Sequence, residues 1–435
     1  MPAQRSTSPN CSARGGHSPY HPALTWRPSM TLKTAMLAAA LALATTAGAL
    51  AQSGTLKIVS SLPRTGSANA QTGSIVNGIK MAIAEVGGKI DGYEIVYEDW
   101  DDASPQRGNW DPTVEAQNAN RAVTDPTIVG YIGTFNSGAA KIAMPELNKA
   151  GLVMISPANT YSGLTKPGMG EANEPAIYRP SGSINYFRVV PTDDLQGAVA
   201  AEHVASSGAK KVFILHDREL YGKGIADVFQ KRAKELGITV AGFEGIDTKA
   251  SNYKSLCQKV KFSKADAVFF GGTTQSNGGQ VAKDLRSVGF TGILVVPDGC
   301  CEEAFIQAAG AANLEGNTFV TFGGLPPSEL TGRGAEFREG YRKMFGFDPE
   351  AYAVYGYESA RVLLDAIKRA PTKDRAAILK AVSSTKDFDG ALGIWSFDVN
   401  GDTTNRVMSI NAVKDGKFVF VHRAGDAPTG GAKPE

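Results

Sequence analysis

Cysteine is scarce: Cys11, Cys257, Cys300 and Cys301 are the four in 435 residues. No Cys/His spacing matches a metal site, and His203, His216 and His422 are scattered, so neither a metal nor a cofactor is expected. Three cysteines follow residue 51, an odd number. A bridge from Cys257 to Cys300 or Cys301, a vicinal Cys300–Cys301 bridge, and buried free thiols all stay open. An excess of either charge is missing too. The chain has 45 Lys and Arg against 43 Asp and Glu, a net of +2. Residues 1–51 hold Arg5, Arg14, Arg27 and Lys33 and no acid, which leaves 41 bases and 43 acids beyond them, a net of −2. With no basic, aromatic-rich stripe either, nucleic acid is not an expected partner. Catalytic constellations are missing as well. No G-x-S-x-G elbow appears, and His216-Asp217 are sequence neighbours, a poor geometry for a dyad. "YGKG" and "GGTTQSNGG" match neither G-x-G-x-x-G nor the Walker pattern.

Long hydrophobic runs are few. The run from Ala35 to Ala44 is too short to span a bilayer. It follows Lys33 and precedes Ala49-Leu50-Ala51, a small-x-small site, so 30–51 reads as a signal peptide cleaved near Ala51. Residues 1–29 precede that signal, and Met30 is the expected start of the natural chain, with 1–29 a non-native extension. No cysteine stands directly after the cleavage site to carry a lipid, which favours a periplasm over a single-membrane surface.

What is present from Leu56 onward is alternation. "LKIVSSL", "YEIVYED", "IVGYIGT" and "GLVMIS" are apolar strands. Between them Gln71–Val86, Pro112–Val123 and Gly138–Ala150 have helical spacing. This is βα repetition, the signature of a doubly wound parallel sheet. Tyr161–Tyr186, rich in Gly, Pro and Ser, breaks it as a surface loop. A second βα run follows, with strands "KVFILHD", "ITVAGFE", "DAVFFGG" and "GILVVPD". Two runs in series predict an α/β protein of two similar lobes. Beyond Thr318 come "FVTFGG", helices near Gly334–Phe345 and Pro349–Lys368, and a hairpin turning at Asp415-Gly416.

Ligands of open α/β sheets bind outside the carboxyl ends of the strands. In the first run those ends carry Asn136, Ser137, Gly138, Ser156, Ala158, Asn159 and Thr160, small hydroxyls and amides without Lys or Arg. The helix opening near Gly138 offers free N–H groups and about half a positive charge, which suits one carboxylate. In the second run Asp298 ends a strand and Tyr221 opens a helix. An anion nest facing one carboxylate and one ring describes a site for a zwitterion. Each residue also has an ordinary reading: a cap for Asn136 and Ser137, packing for Tyr221, a turn for Asp298 before Gly299.

"SLPRTGSANAQTG", "YIGTFNSGAA", "MISPANT", "HDRELYGKGIADVFQ" and "VPDG" together resemble the periplasmic leucine/isoleucine/valine-binding proteins. These are substrate-binding subunits of branched-chain amino-acid ABC importers, with the type I periplasmic-binding-protein fold. The resemblance runs from about Gly54 to Arg423. It implies two lobes joined by three crossovers: 54–191 plus 319–408, and 192–318 plus 409–425, with 426–435 a flexible tail. It implies closure around the ligand by hinge motion. Residue by residue, Ser137 matches the position that grips the ligand carboxylate. Ala158 and Thr160 match contacts to its polar ends, and Tyr221 the aromatic of the second lobe. Asp298 matches an acidic position, commonly Glu, that pairs with the α-ammonium.

The sequence departs from the family at Thr273, where branched-chain-specific members commonly carry an aromatic, and at Ser104 and Asn136, near a small disulfide of the first lobe. The resemblance therefore implies a monomeric, non-enzymatic solute receptor for an amino acid, aliphatic or branched-chain, delivered to membrane permease subunits. A related amide, urea or carboxylate, or a sensing role, is the alternative.

Overall fold

The computed structural model describes residues 54–425, which form one compact unit. The expected extension 1–29, the signal peptide and the tail 426–435 lie outside the described residues.

The first sheet collects the first βα run. Its strands are β1 Thr55–Leu62, β2 Lys89–Ile90, β3 Tyr93–Asp101, β4 Ile128–Gly133, β5 Met154–Ser156 and β6 Tyr186–Arg188, in the order β2-β3-β1-β4-β5-β6. All pairs are parallel except β2 with β3. Every residue of β4 is buried, as a strand covered on both faces requires. Helices α1 Asn69–Glu85, α2 Pro112–Thr124 and α3 Ser137–Lys149 connect these strands. Asp111 starts α2: its carboxylate accepts from Thr113 N at 2.8 Å, and Pro112 fills the first helical position.

The second sheet comprises β7 Lys211–His216, β8 Thr239–Gly245, β9 Ala267–Gly271, β10 Ile293–Val296, β11 Thr318–Gly323, β12 Met408–Lys414 and β13 Lys417–Ala424, ordered β8-β7-β9-β10-β11-β12-β13. Around it run α4 Asp193–Ser206, α5 Leu220–Glu235, α6 Lys254–Phe262, α7 Gly278–Ser287 and α8 Glu303–Ala309. Asp415 and Gly416 both take positive φ at the β12–β13 turn, as a two-residue hairpin loop demands. Between β11 and β12 the chain returns to the first sheet through α9 Arg333–Phe345, α10 Ala353–Arg369 and α11 Arg375–Ser383. Helix α10 lies against α1 so closely that a Cβ at Gly78 would sit 2.1 Å from the Ala353 carbonyl oxygen.

Two expectations need correction. Segment 319–323 belongs to the second sheet rather than the first, because β11 pairs with β10 and β12. The chain therefore recrosses after Gly323, and its final return begins with Met408, one residue before the expected 409. An apolar strand reads alike in either lobe; pairing decides its membership. Second, segment 161–186 is not a plain surface loop. Glu174 is buried within it and accepts hydrogen bonds from Tyr161 Oη, Tyr178 Oη, Lys141 Nζ and Glu171 N. Its last residue, Tyr186, opens β6. Among the open cysteine readings, the structure shows Cys257, Cys300 and Cys301 free and buried.

Where the chain crosses between sheets, Arg188 is fully buried. Its guanidinium donates to Asp402 Oδ1 at 2.6 Å, to the Tyr161 carbonyl at 2.8 Å, and to Thr165 Oγ1. Burial works against its charge, but Asp402, with Tyr186 and Asp193, outweighs that and holds the guanidinium above its ordinary value. One side chain thus ties the end of β6 to the segment leading into β12.

Candidate functional site

The strand ends of the two sheets meet around a small cavity of about 20 Å³. That is room for little more than one water, about 10–15 Å³ by the same kind of measure. Its walls are Phe135, Asn136, Ser137, Ala158, Tyr221, Thr273, Asp298, Gly299 and Tyr352. Six of the seven residues expected from the sequence line it, and Thr160 is the seventh. Thr160 is buried just behind the wall, and its carbonyl accepts from Asp193 N at 2.9 Å.

The first-sheet wall is the opening of α3. Asn136 precedes the helix in an extended conformation and makes no side-chain cap bond. Its Oδ1 is buried without a partner. Ser137 is the first helical residue, and its Oγ accepts from Tyr161 N at 3.4 Å. N–H groups ahead of the first helical bond and a hydroxyl are thus concentrated at the positive end of a helix dipole. Ser156 Oγ accepts from Ala158 N at 3.2 Å and from Asn159 N at 2.8 Å, fixing the turn that presents Ala158. Ser104, near the expected position of a missing disulfide, instead donates to Asp111 Oδ2 at 2.8 Å.

The second-sheet wall is built on Asp298, just beyond β10. Tyr221, in the first turn of α5, donates to its Oδ1 at 2.6 Å and accepts from Gly299 N at 3.2 Å. Tyr352 Oη donates to the other oxygen. Burial raises the Asp298 carboxyl above its ordinary value, and these hydroxyls work against that rise. Thr273 turns its hydroxyl to Ser276 Oγ, 3.0 Å away, and so presents little polarity to the cavity.

Three contributors were not read from the sequence. Phe135 and Tyr352 pack edge to face, with centroids 5.7 Å apart. Phe135 stands beside the motif that carried the argument. Tyr352 reaches the cavity only because the chain crosses back through α9. The third is Asp193, the first residue of α4. It is 1% exposed, and both its oxygens lack a hydrogen-bond partner. Burial pushes its carboxyl well above the ordinary range, and the Asp298 charge adds to the rise. Thr160 Oγ1 neighbours it and is likewise unpartnered. Asp298 thus lines the cavity, Asp193 is near enough to feel its charge and that of Arg188, and no Lys, Arg or His lines the cavity.

The chain has counterparts among known proteins. The family model described as "Periplasmic binding protein" matches residues 55–417. A "Leu/Ile/Val-binding protein homolog 1" of Brucella suis biovar 1 is 30% identical over 344 residues, 78% of this chain and 85% of that protein. A branched-chain amino-acid transporter substrate-binding protein of Streptococcus pneumoniae, solved with isoleucine, is 26% identical with a TM-score of 0.74, covering 86% of this chain and 100% of its own. A solute-binding protein of R. palustris solved with benzoate shares the fold at a TM-score of 0.71 and 18% identity, covering 86% and 97%. This chain belongs to the type I periplasmic binding proteins of the Leu/Ile/Val-binding family, non-enzymatic solute-binding proteins of ABC importers.

Proposed function

We propose that the protein captures an amino acid, aliphatic or branched-chain, between its two sheets and delivers it to the permease subunits of an ABC importer. The observation that carries this reading is the buried Asp298 carboxylate in a cavity wall that holds no Lys, Arg or His, opposite the N-terminus of α3. A ligand ammonium meets Asp298, and a ligand carboxylate meets Ser137 and the first N–H groups of α3. Charge-assisted bonds at both ends are the strong kind. In this reading Ala158 and Thr160 contact the polar ends, Asn136 borders them, and Tyr221 and Tyr352 cover the ligand. Thr273 leaves space at the side-chain end.

The cavity is too small for any amino acid, so binding requires the lobes to part, in keeping with hinge closure around the ligand. The protein acts in a periplasm as a monomer, after cleavage near Ala51, and binds no nucleic acid.

The test is calorimetric titration of protein unfolded and refolded to strip carried-over ligand, with the twenty amino acids first, then short amides and aromatic carboxylates. Binding of an aliphatic amino acid, lost in Asp298→Ala, supports the reading. The small Thr273 favours a second one, a simple carboxylate or amide. A response to benzoate or an amide alone, unchanged in Asp298→Ala, would replace the amino acid and retain the solute-binding role.

A further inference from the structure

The stretch "YGKG" at the start of α5 matches no phosphate loop, yet the fold needs both of its glycines. Gly222 has its reason within one lobe: a Cβ there would sit 2.2 Å from Asp217 Oδ1 and 2.5 Å from the Gly271 carbonyl oxygen. Gly224 has its reason across the lobes. A Cβ there would sit 2.6 Å from Cδ2 of Tyr161. Tyr161 belongs to the segment that follows β5 of the first sheet, whereas α5 packs on the second. Glycine is disfavoured against alanine inside a helix, and the close approach of the Tyr161 ring is what explains it here.

That ring is a fixed platform. Its Oη donates to Glu174 Oε2 at 3.0 Å, and Lys141 Nζ donates to the other oxygen at 3.2 Å. Gly163 and Gly170 press on it: a Cβ at Gly163 would lie 2.5 Å from Tyr161 Cε1, and one at Gly170 2.9 Å from its Oη. The backbone is held as well. Tyr161 N donates to Ser137 Oγ at 3.4 Å, and the Tyr161 carbonyl accepts from Arg188 at 2.8 Å. The platform thus shares its scaffold with the cleft wall.

Two neighbours of Gly224 meet the first lobe with it. Leu220, one turn earlier on the same face of α5, packs against the cluster that holds Tyr161, Leu164 and Tyr178. Glu219, just ahead of the helix, feels the charge of Arg107, which stands between β3 and α2 and works against the rise that burial imposes on the Glu219 carboxyl. Between these contacts Tyr221 turns to Asp298.

We propose that segment 161–186 is a latch: the Tyr161 ring, seated on the bare helix surface at Gly224, stabilises the closed arrangement of the lobes and sets how tightly and how long ligand is held. Neither residue lines the cavity, so both act through closure. The proposal rests on the reading above in which the lobes part to admit ligand. Ligand is held in the closed arrangement, so a weaker latch lowers the apparent affinity by the factor it takes from closure.

The test is Gly224→Ala in the full protein, stripped of ligand by unfolding and refolding. It is read by small-angle scattering without ligand, and by titration and dissociation kinetics with leucine. Alanine suits a helix better than glycine, so the variant folds. The expected result is a larger radius of gyration than that of the wild type, and leucine affinity about tenfold weaker through faster dissociation. In a Tyr161→Ala background the same substitution is expected to change neither, because the ring it would meet is gone. An unchanged radius of gyration in Gly224→Ala overturns the proposal. So does an equal loss of affinity in the Tyr161→Ala background, which would trace the loss to the helix rather than to the ring. If the wild type does not bind leucine, the amino-acid reading falls and the scattering comparison alone decides the latch.

Discussion

Tyr221 donates a 2.6 Å hydrogen bond to Asp298, joining the first turn of α5 to the end of β10 across the floor of the cleft. Together with Tyr352 it supplies Asp298 with the donors that a ligand ammonium would otherwise provide. Asp298→Asn is expected to weaken amino-acid binding by about 2 kcal/mol or more, and Tyr221→Phe by about 1 kcal/mol, the ordinary worth of one net hydrogen bond. Titration of both variants checks this. Unchanged affinity in Asp298→Asn removes that residue from the site.

Asp193 separates affinity from stability. Its two oxygens are buried and unpartnered, and it repels Asp298. Asp193→Asn removes that repulsion, so the empty protein is expected to melt at a higher temperature while its affinity for the amino acid falls. A melting scan beside a titration decides it. A variant that is both less stable and equally able to bind would show that Asp193 only braces the hinge.

The buried Arg188–Asp402 pair holds two crossovers together. Asp402→Asn leaves the guanidinium buried without its counter-charge, and removing one partner of such a pair costs about 3–5 kcal/mol. Urea unfolding is expected to show a loss of that size, whereas a loss below about 1 kcal/mol would mean that the carbonyls of Asn159 and Tyr161 suffice.

Asp217 sets a pH dependence. Burial pushes its carboxyl from 3.8 up to about 7, against the hydrogen bonds from Ser276 Oγ and Glu219 N. The native state therefore holds this proton more tightly than the unfolded chain does. Its contribution is fully present below pH 3.8 and is lost as pH rises through about 7. The slope in that window is at most about 1.4 kcal/mol per pH unit from this one group. Asp217→Asn is expected to flatten the decline of stability across the window. An unaltered profile would assign the decline to other buried acids, such as Glu115, whose carboxyl burial also raises.

The sequence by itself determined the α/β alternation, because an apolar run buried on both faces and a helix with one apolar stripe leave different periods in the chain. It picked out much of the lining of the candidate cavity too. Ser137, Ala158, Tyr221, Thr273 and Asp298 all stand within a few residues of a strand end, where the fold class requires a ligand to sit. The tertiary structure alone decided which sheet owns β11, since Thr318–Gly323 is apolar enough for either and only pairing with β10 and β12 places it. It likewise decided that Asp193 and Tyr352, more than 150 positions apart, meet at Asp298. Local pattern carries no information about such a meeting, which depends on how the crossovers fold the sheets against each other.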